Sequence, residues 1–107
     1  RIKSLEYDKQ TAQQNALLIK NQLAMDFKVL LNQYSQDVEQ YDYYKNQALP
    51  NALKIVKASQ LGYKTGEISY VEYLLALQTA TNIQLKYLTS IQKVNESVVN
   101  INAVINQ

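Results

Sequence analysis

The chain has 107 residues, 11 basic and 9 acidic, and its net charge of +2 is dispersed along its length, too weak a field to point to nucleic acid. It contains no His and no Cys, so the usual general base, the thiol nucleophile and most transition-metal ligand sets are missing. Catalysis, a resident metal and a cofactor are therefore not expected.

Two Gly and one Pro leave few places to turn, and this argues for very long helices. Nine Tyr stand beside one Phe and no Trp. No apolar run approaches the roughly 20 residues needed to span a bilayer, and no signal-peptide pattern opens the chain. A start at Arg1 rather than Met points to a segment of a larger protein. The expected fold is all-α, with residues 1–107 forming one helical hairpin.

From Ile2 to Leu49 there is neither Gly nor Pro. Leu23, Phe27, Leu30 and Tyr34 step by four, three and four, the seam of a coiled coil. The stripe continues through Val38 and Tyr41, crosses polar Lys45, and resumes at Ala48, Ala52 and Ile55. Its consecutive four-steps between Phe27 and Val38 predict a local insertion in the heptad that unwinds the supercoil. Asp37, Glu39 and Asp42 offer oxygen ligands to a hard cation, but no Gly-bearing loop organises them and their spacing scatters them around a helix. A solvated charged face is the reading adopted. Pro50 cannot donate to the carbonyl of Asn46. It either kinks one helix or opens a new one, and the unbroken seam favours a kink within a first helix of about Ile2–Thr65.

The turn follows. Gly66 suits the left-handed conformation that ends a helix. Ser69 and Glu72 form a Ser-x-x-Glu capping box, with Ile68 and Tyr73 placed for a hydrophobic staple. The second helix then runs from about Tyr70 to Ile105, and so short a connection makes the pair antiparallel. Its expected seam is Tyr73, Leu77, Ala80, Gln84, Tyr87, Ile91, Val94, Val98, Ile101 and Ile105. Leu74, Thr81, Leu88 and Asn102 widen that seam towards further neighbours.

The arms differ in length. Folding about the tip sets Leu61 near Tyr73 and Ile55 near Ala80, so the second helix runs out opposite Val29–Leu31. Ile19, Leu23, Phe27 and Leu30 then form an apolar stripe expected to drive self-association.

Ala48-Leu49-Pro50, thirteen residues before Tyr63-x-x-Gly66-x-x-Ser69 and followed by Leu75-Ala76-Leu77-Gln78, resembles the TolC-like outer-membrane efflux proteins over nearly the whole chain. The stretch from Gly66 to Leu74 is most similar to members that handle heavy-metal cations. It is also similar to the TolC-like segment at the C-terminus of some RND-type heavy-metal pumps. The resemblance implies a trimer forming an α-helical tunnel through the periplasm, in the outer membrane or, as a fusion, attached to the inner-membrane pump. It also implies docking of the tip on a periplasmic adaptor protein that engages an RND pump. Tyr63, Thr65, Gly66, Glu67 and Ser69 would be the adaptor-binding tip. Glu67 departs from the more apolar form of the family's turn, and Ile68 stands where some members carry a basic gating residue. Glu72 is either a lumen carboxylate attractive to cations or simply the capping-box partner. The alternative to this reading is a generic coiled-coil scaffold that binds through its seam.

Overall fold

The structure, a computed structural model, describes residues 2–106. It is an all-α hairpin: α1 spans Ile2–Tyr43, a π-helical turn spans Tyr44–Ala48, α2 spans Leu49–Lys64 and α3 spans Tyr70–Ile105. The first three form one continuous rod. At a rise of 1.5 Å per residue such a rod reaches about 95 Å, and the molecule measures 94 × 19 × 15 Å. No helix among the described residues is long and apolar enough to cross a membrane.

α3 packs against both α1 and α2, and its contact line follows a regular 3–4 spacing. Tyr73, Ala76, Ala80, Ile83, Tyr87, Ser90, Val94, Ser97, Ile101 and Val104 are all buried or half-buried. Gln84, Val98 and Ile105, expected in the seam, are exposed, and Ile83, Ser97 and Val104 take those places. Both sets of residues have heptad spacing. The choice between them falls on the line that carries the small residues, because Ala76, Ala80, Ser90 and Ser97 let the two backbones approach closely.

The rod side of the seam changes phase once. Phe27, Leu30, Asp37, Tyr41 and Tyr44 face α3 above the π turn, and Leu49, Ala52, Val56 and Ser59 face it below. The lower set lies one residue later in the heptad than the upper set. The extra residue is held in the π turn, where the Leu49 N–H bonds the carbonyl of Tyr44, five residues back. The insertion expected between Phe27 and Val38 is absent, since the seam keeps one phase there; the phase change sits instead at Tyr44–Ala48, where the backbone absorbs it locally. Ile55, expected at the seam, is 56% exposed as a result, and Tyr44 replaces Lys45.

The interruption linked to Pro50 takes the form of this wide turn. The backbone stays right-handed helical through Tyr43, Ala48 and Leu49, so the rod is not broken. Tyrosines cluster beside the turn. Tyr41 and Tyr87 pack across the helices with their rings tilted, 5.8 Å between centroids, Tyr43 and Tyr44 meet edge-on at 5.3 Å, and the Lys45 ammonium lies 5.6 Å from the Tyr41 ring centroid. The Tyr87 phenol is raised above its ordinary value, first by the hydroxyl of Tyr41 beside it and then by desolvation, with Lys45 opposing.

Asp37 corrects the reading of Asp37, Glu39 and Asp42 as a solvated face. Glu39 and Asp42 are exposed, whereas Asp37 is 6% exposed and points at α3. Its carboxylate accepts hydrogen bonds from the Ser97 hydroxyl across the seam and from Gln33 Nε2 at 3.0 Å within its own helix. The described residues hold no group of three or more carboxylates, His or Cys placed to bind a metal ion.

Candidate functional site

The hairpin tip is built by the C-terminus of α2. Its last turn closes as a Schellman motif: the Glu67 N–H donates to the Gly62 carbonyl at 2.8 Å and the Gly66 N–H to the Tyr63 carbonyl at 3.2 Å. The Gly62 carbonyl also accepts from the Ile68 N–H at 3.2 Å and from the Thr65 hydroxyl at 3.2 Å. One carbonyl thus gathers the turn.

Gly66 sits at φ +82°, the only positive φ among the described residues. A Cβ there would meet nothing within 4 Å. Its glycine requirement is therefore conformational, and the space above it is open. Gly66→Ala is expected to cost about 1–2 kcal/mol, the penalty of a left-handed alanine, with the helical content of the arms unchanged. Urea unfolding measures this, and an unaltered midpoint would refute the assignment.

Gly62, which sequence reasoning passed over, has the opposite character. It is buried under Ile68, whose Cγ1 would lie 3.3 Å from an added Cβ. Ile68 therefore folds back onto α2. A second glycine four residues before the turn glycine was the signal available in the sequence.

α3 begins as expected at Ser69, whose backbone is extended (φ −77°, ψ 163°) and whose Oγ accepts from the Glu72 N–H at 3.1 Å. This is the serine half of the capping box. Glu72 is exposed, in the first turn of α3, where its charge also suits the helix dipole. Tyr73 pairs across the tip with Tyr63 at 5.5 Å between centroids, and Tyr63 meets Tyr70 at 5.6 Å.

The structure brings Tyr63, Thr65, Gly66, Glu67 and Ser69 together at one end of the rod, all of them exposed. Thr65 is occupied internally through its hydroxyl, and Ser69 through its cap. The Glu67 carboxylate makes no hydrogen bond or ion pair with the described residues, so the turn leaves it available.

The self-association stripe divides. Phe27 and Leu30 are half-buried near the end of α3, whereas Ile19 and Leu23 lie beyond it and are 62% and 44% exposed. Comparison with protein-family models, with curated proteins and with solved structures finds no match.

Proposed function

We propose that this chain is a periplasmic α-helical tunnel segment of a tripartite, RND-type efflux system, a TolC-like channel part that exports heavy-metal cations or drugs. Its tip docks on a periplasmic adaptor protein, which joins it to an inner-membrane pump, and three copies complete the tunnel in the parent assembly. The segment is the periplasmic portion of a cell-envelope protein. The observation that carries this reading is the tip itself: an open Gly66, set between exposed Thr65 and Glu67, at the end of a rod some 94 Å long. A rod of these dimensions suits a span between distant partners better than a compact binding domain. Glu72 is exposed, on the same flank of α3 as Thr79, Lys86 and Lys93, and this polar flank supports a water-facing side.

A second reading, a coiled-coil scaffold that binds through its seam, is favoured by the uncovered Ile19 and Leu23. The two readings separate at Glu67. Glu67→Lys is expected to weaken adaptor binding by about tenfold, the size of a 1.4 kcal/mol charge effect, and to lower export, while the circular dichroism of the hairpin is unchanged. Fractionation of the native cell should place the parent chain in the outer or the inner membrane. A soluble parent chain, or partner binding that ignores Glu67 and follows Leu23, would overturn the efflux reading in favour of the scaffold.

A further inference from the structure

One flank of the hairpin changes character at the π turn. Below the turn it holds a hollow of about 180 Å³, floored by Ala52 and Ala80 and rimmed by Tyr43, Ile55, Thr79 and Ile83. The two alanines are buried, whereas Tyr43 and Ile55 are 51% and 56% exposed. A dry cavity of roughly 150 Å³ takes a benzene molecule, so this hollow admits one large apolar side chain from outside. Above the turn the flank becomes a groove of about 190 Å³ lined by Gln40, Tyr44, Lys86, Ser90 and Lys93. Thr79, Lys86 and Lys93 follow one another at seven-residue steps of α3, so hollow and groove lie on one side. Neither lysine has an ion-pair or hydrogen-bond partner among the described residues, and the rod faces them with the neutral Gln40 and Tyr44. The charge reverses beyond Lys93, where Asp37 and Glu96 line the next stretch.

The hollow, Lys86 and Lys93 fall at successive steps of about 10.5 Å along the axis, seven residues at a rise of 1.5 Å. A helix repeats one face at that interval. An extended strand covers the same distance in about three residues, and residues three apart in a strand face opposite sides. A small ligand does not reach across two such steps, about 21 Å. The complement is therefore helical, with one large apolar side chain and with acidic residues seven and fourteen positions from it. A second copy of this chain does not supply it, because no two of its 9 acidic residues stand seven apart.

We infer that this flank seats an acidic amphipathic helix of another protein, its apolar side chain in the hollow beside the π turn and its two carboxylates on Lys86 and Lys93. The site lies away from the tip and stands whether or not the tip docks. The test titrates two labelled helical peptides, built on Ala and Gln, with the full chain and reads fluorescence anisotropy. The first design carries one Leu with Glu seven and fourteen residues from it. In the second, both glutamates are moved two residues further, about 200° around the helix. Each design is made in both sequence directions, to run with α3 or against it. The first design is expected to bind at least tenfold more tightly than the second in one direction. Lys86→Gln with Lys93→Gln is expected to remove that preference, with helical circular dichroism unchanged because both lysines are exposed. Salt at about 1 M, where the screening length falls to about 3 Å, is expected to remove it as well. Thr79→Trp, which fills the hollow from its exposed rim, is expected to weaken the first design about tenfold. If that variant unfolds, Asn51→Trp fills the same hollow from the rod. Equal binding of the two designs in both directions, a preference that survives the lysine change, or binding indifferent to the filled hollow would overturn the inference. So would a parent chain whose own association is lost on changing the two lysines, since the flank would then face a second copy. Glu67→Lys is expected to leave peptide binding unchanged, so failure of the tip and failure of this site are read apart.

Discussion

Removing Gln47 together with Pro50→Ala is expected to leave the hairpin folded, with a thermal midpoint at or above that of the parent chain. Removing Lys93 is expected to cost about 3 kcal/mol or more. Each is a single deletion at an exposed position, and each would rotate everything beyond it by about 100° in a regular helix. The difference lies in the backbone. The π turn at Tyr44–Ala48 holds one residue more than an α-helical turn would, and the seam on its two sides is already offset by that residue. Taking out Gln47 lets Tyr41 and Tyr44 above, and Ala52, Val56 and Ser59 below, fall on one uninterrupted 3–4 line. Pro50 must be changed with it, since proline in a regular helical interior costs about 3 kcal/mol.

α3 has no such reserve. Without Lys93, Val94, Ser97, Ile101 and Val104 turn out of the seam. Asn95, Val98, Asn102 and Ile105 turn in, two of them amides facing an apolar strip, and Asp37 loses Ser97. Thermal melts of the two variants side by side decide the matter. If the Gln47 deletion unfolds the hairpin as readily as the Lys93 deletion, the π turn is not storing the insertion.

The second large effect is expected at Asp37. Asp37→Ala should destabilise the hairpin by about 1–3 kcal/mol, because it strands the Ser97 hydroxyl in a site that is 5% exposed and frees the Gln33 amide. Ser97→Ala should cost a comparable amount, since it removes a donor from a buried carboxylate. Replacing both, as Asp37→Leu with Ser97→Ala, should recover most of the loss, because an apolar pair of similar volume needs no hydrogen bonds. A double-mutant cycle in urea measures the coupling, and strictly additive losses would mean that the two groups do not act as a pair. The recovered variant is also the place to look for slippage. A single buried polar contact in an otherwise apolar and small-residue seam fixes which residues face each other, and here it holds residue 37 against residue 97. Spin labels on α1 and α3 should give one narrow distance distribution in the parent chain and a broader one in the apolar variant.

The architecture was legible because the features that set it are local. Gly66, Ser69 and Glu72 act within a few residues of themselves, so the turn, the serine cap and the first residue of α3 could be placed from chemistry alone. Counting outward from that turn also fixed the alignment of the arms. Asp37 does meet Ser97, and α3 does run out opposite Val29.

The seam was legible in part: Tyr73, Leu77, Ala80, Tyr87, Ile91, Val94 and Ile101 are buried or half-buried as expected, but one sequence supports several lines of heptad spacing and three positions of α3 fell on the wrong one. Large side chains drew the reading to Gln84, Val98 and Ile105, and to Ile55 on the rod. The folded molecule instead uses the line that carries Ala76, Ala80, Ser90 and Ser97 between its larger residues, and these small side chains let the two backbones approach. Asp37 was misread for the same reason: a carboxylate among exposed acids reads as solvated until a hydroxyl from 60 residues away is set against it. The π turn belongs to this class too. Pro50 announced a defect, but its form depended on keeping Tyr44 and Ala52 against α3 at once. The sequence by itself therefore determined the helices, their ends and their antiparallel alignment, all products of short-range sterics and capping. Only the tertiary structure decided the line of contact within each buried face, the inward turn of Asp37 and the form of the π turn, because these depend on how closely two distant segments can approach.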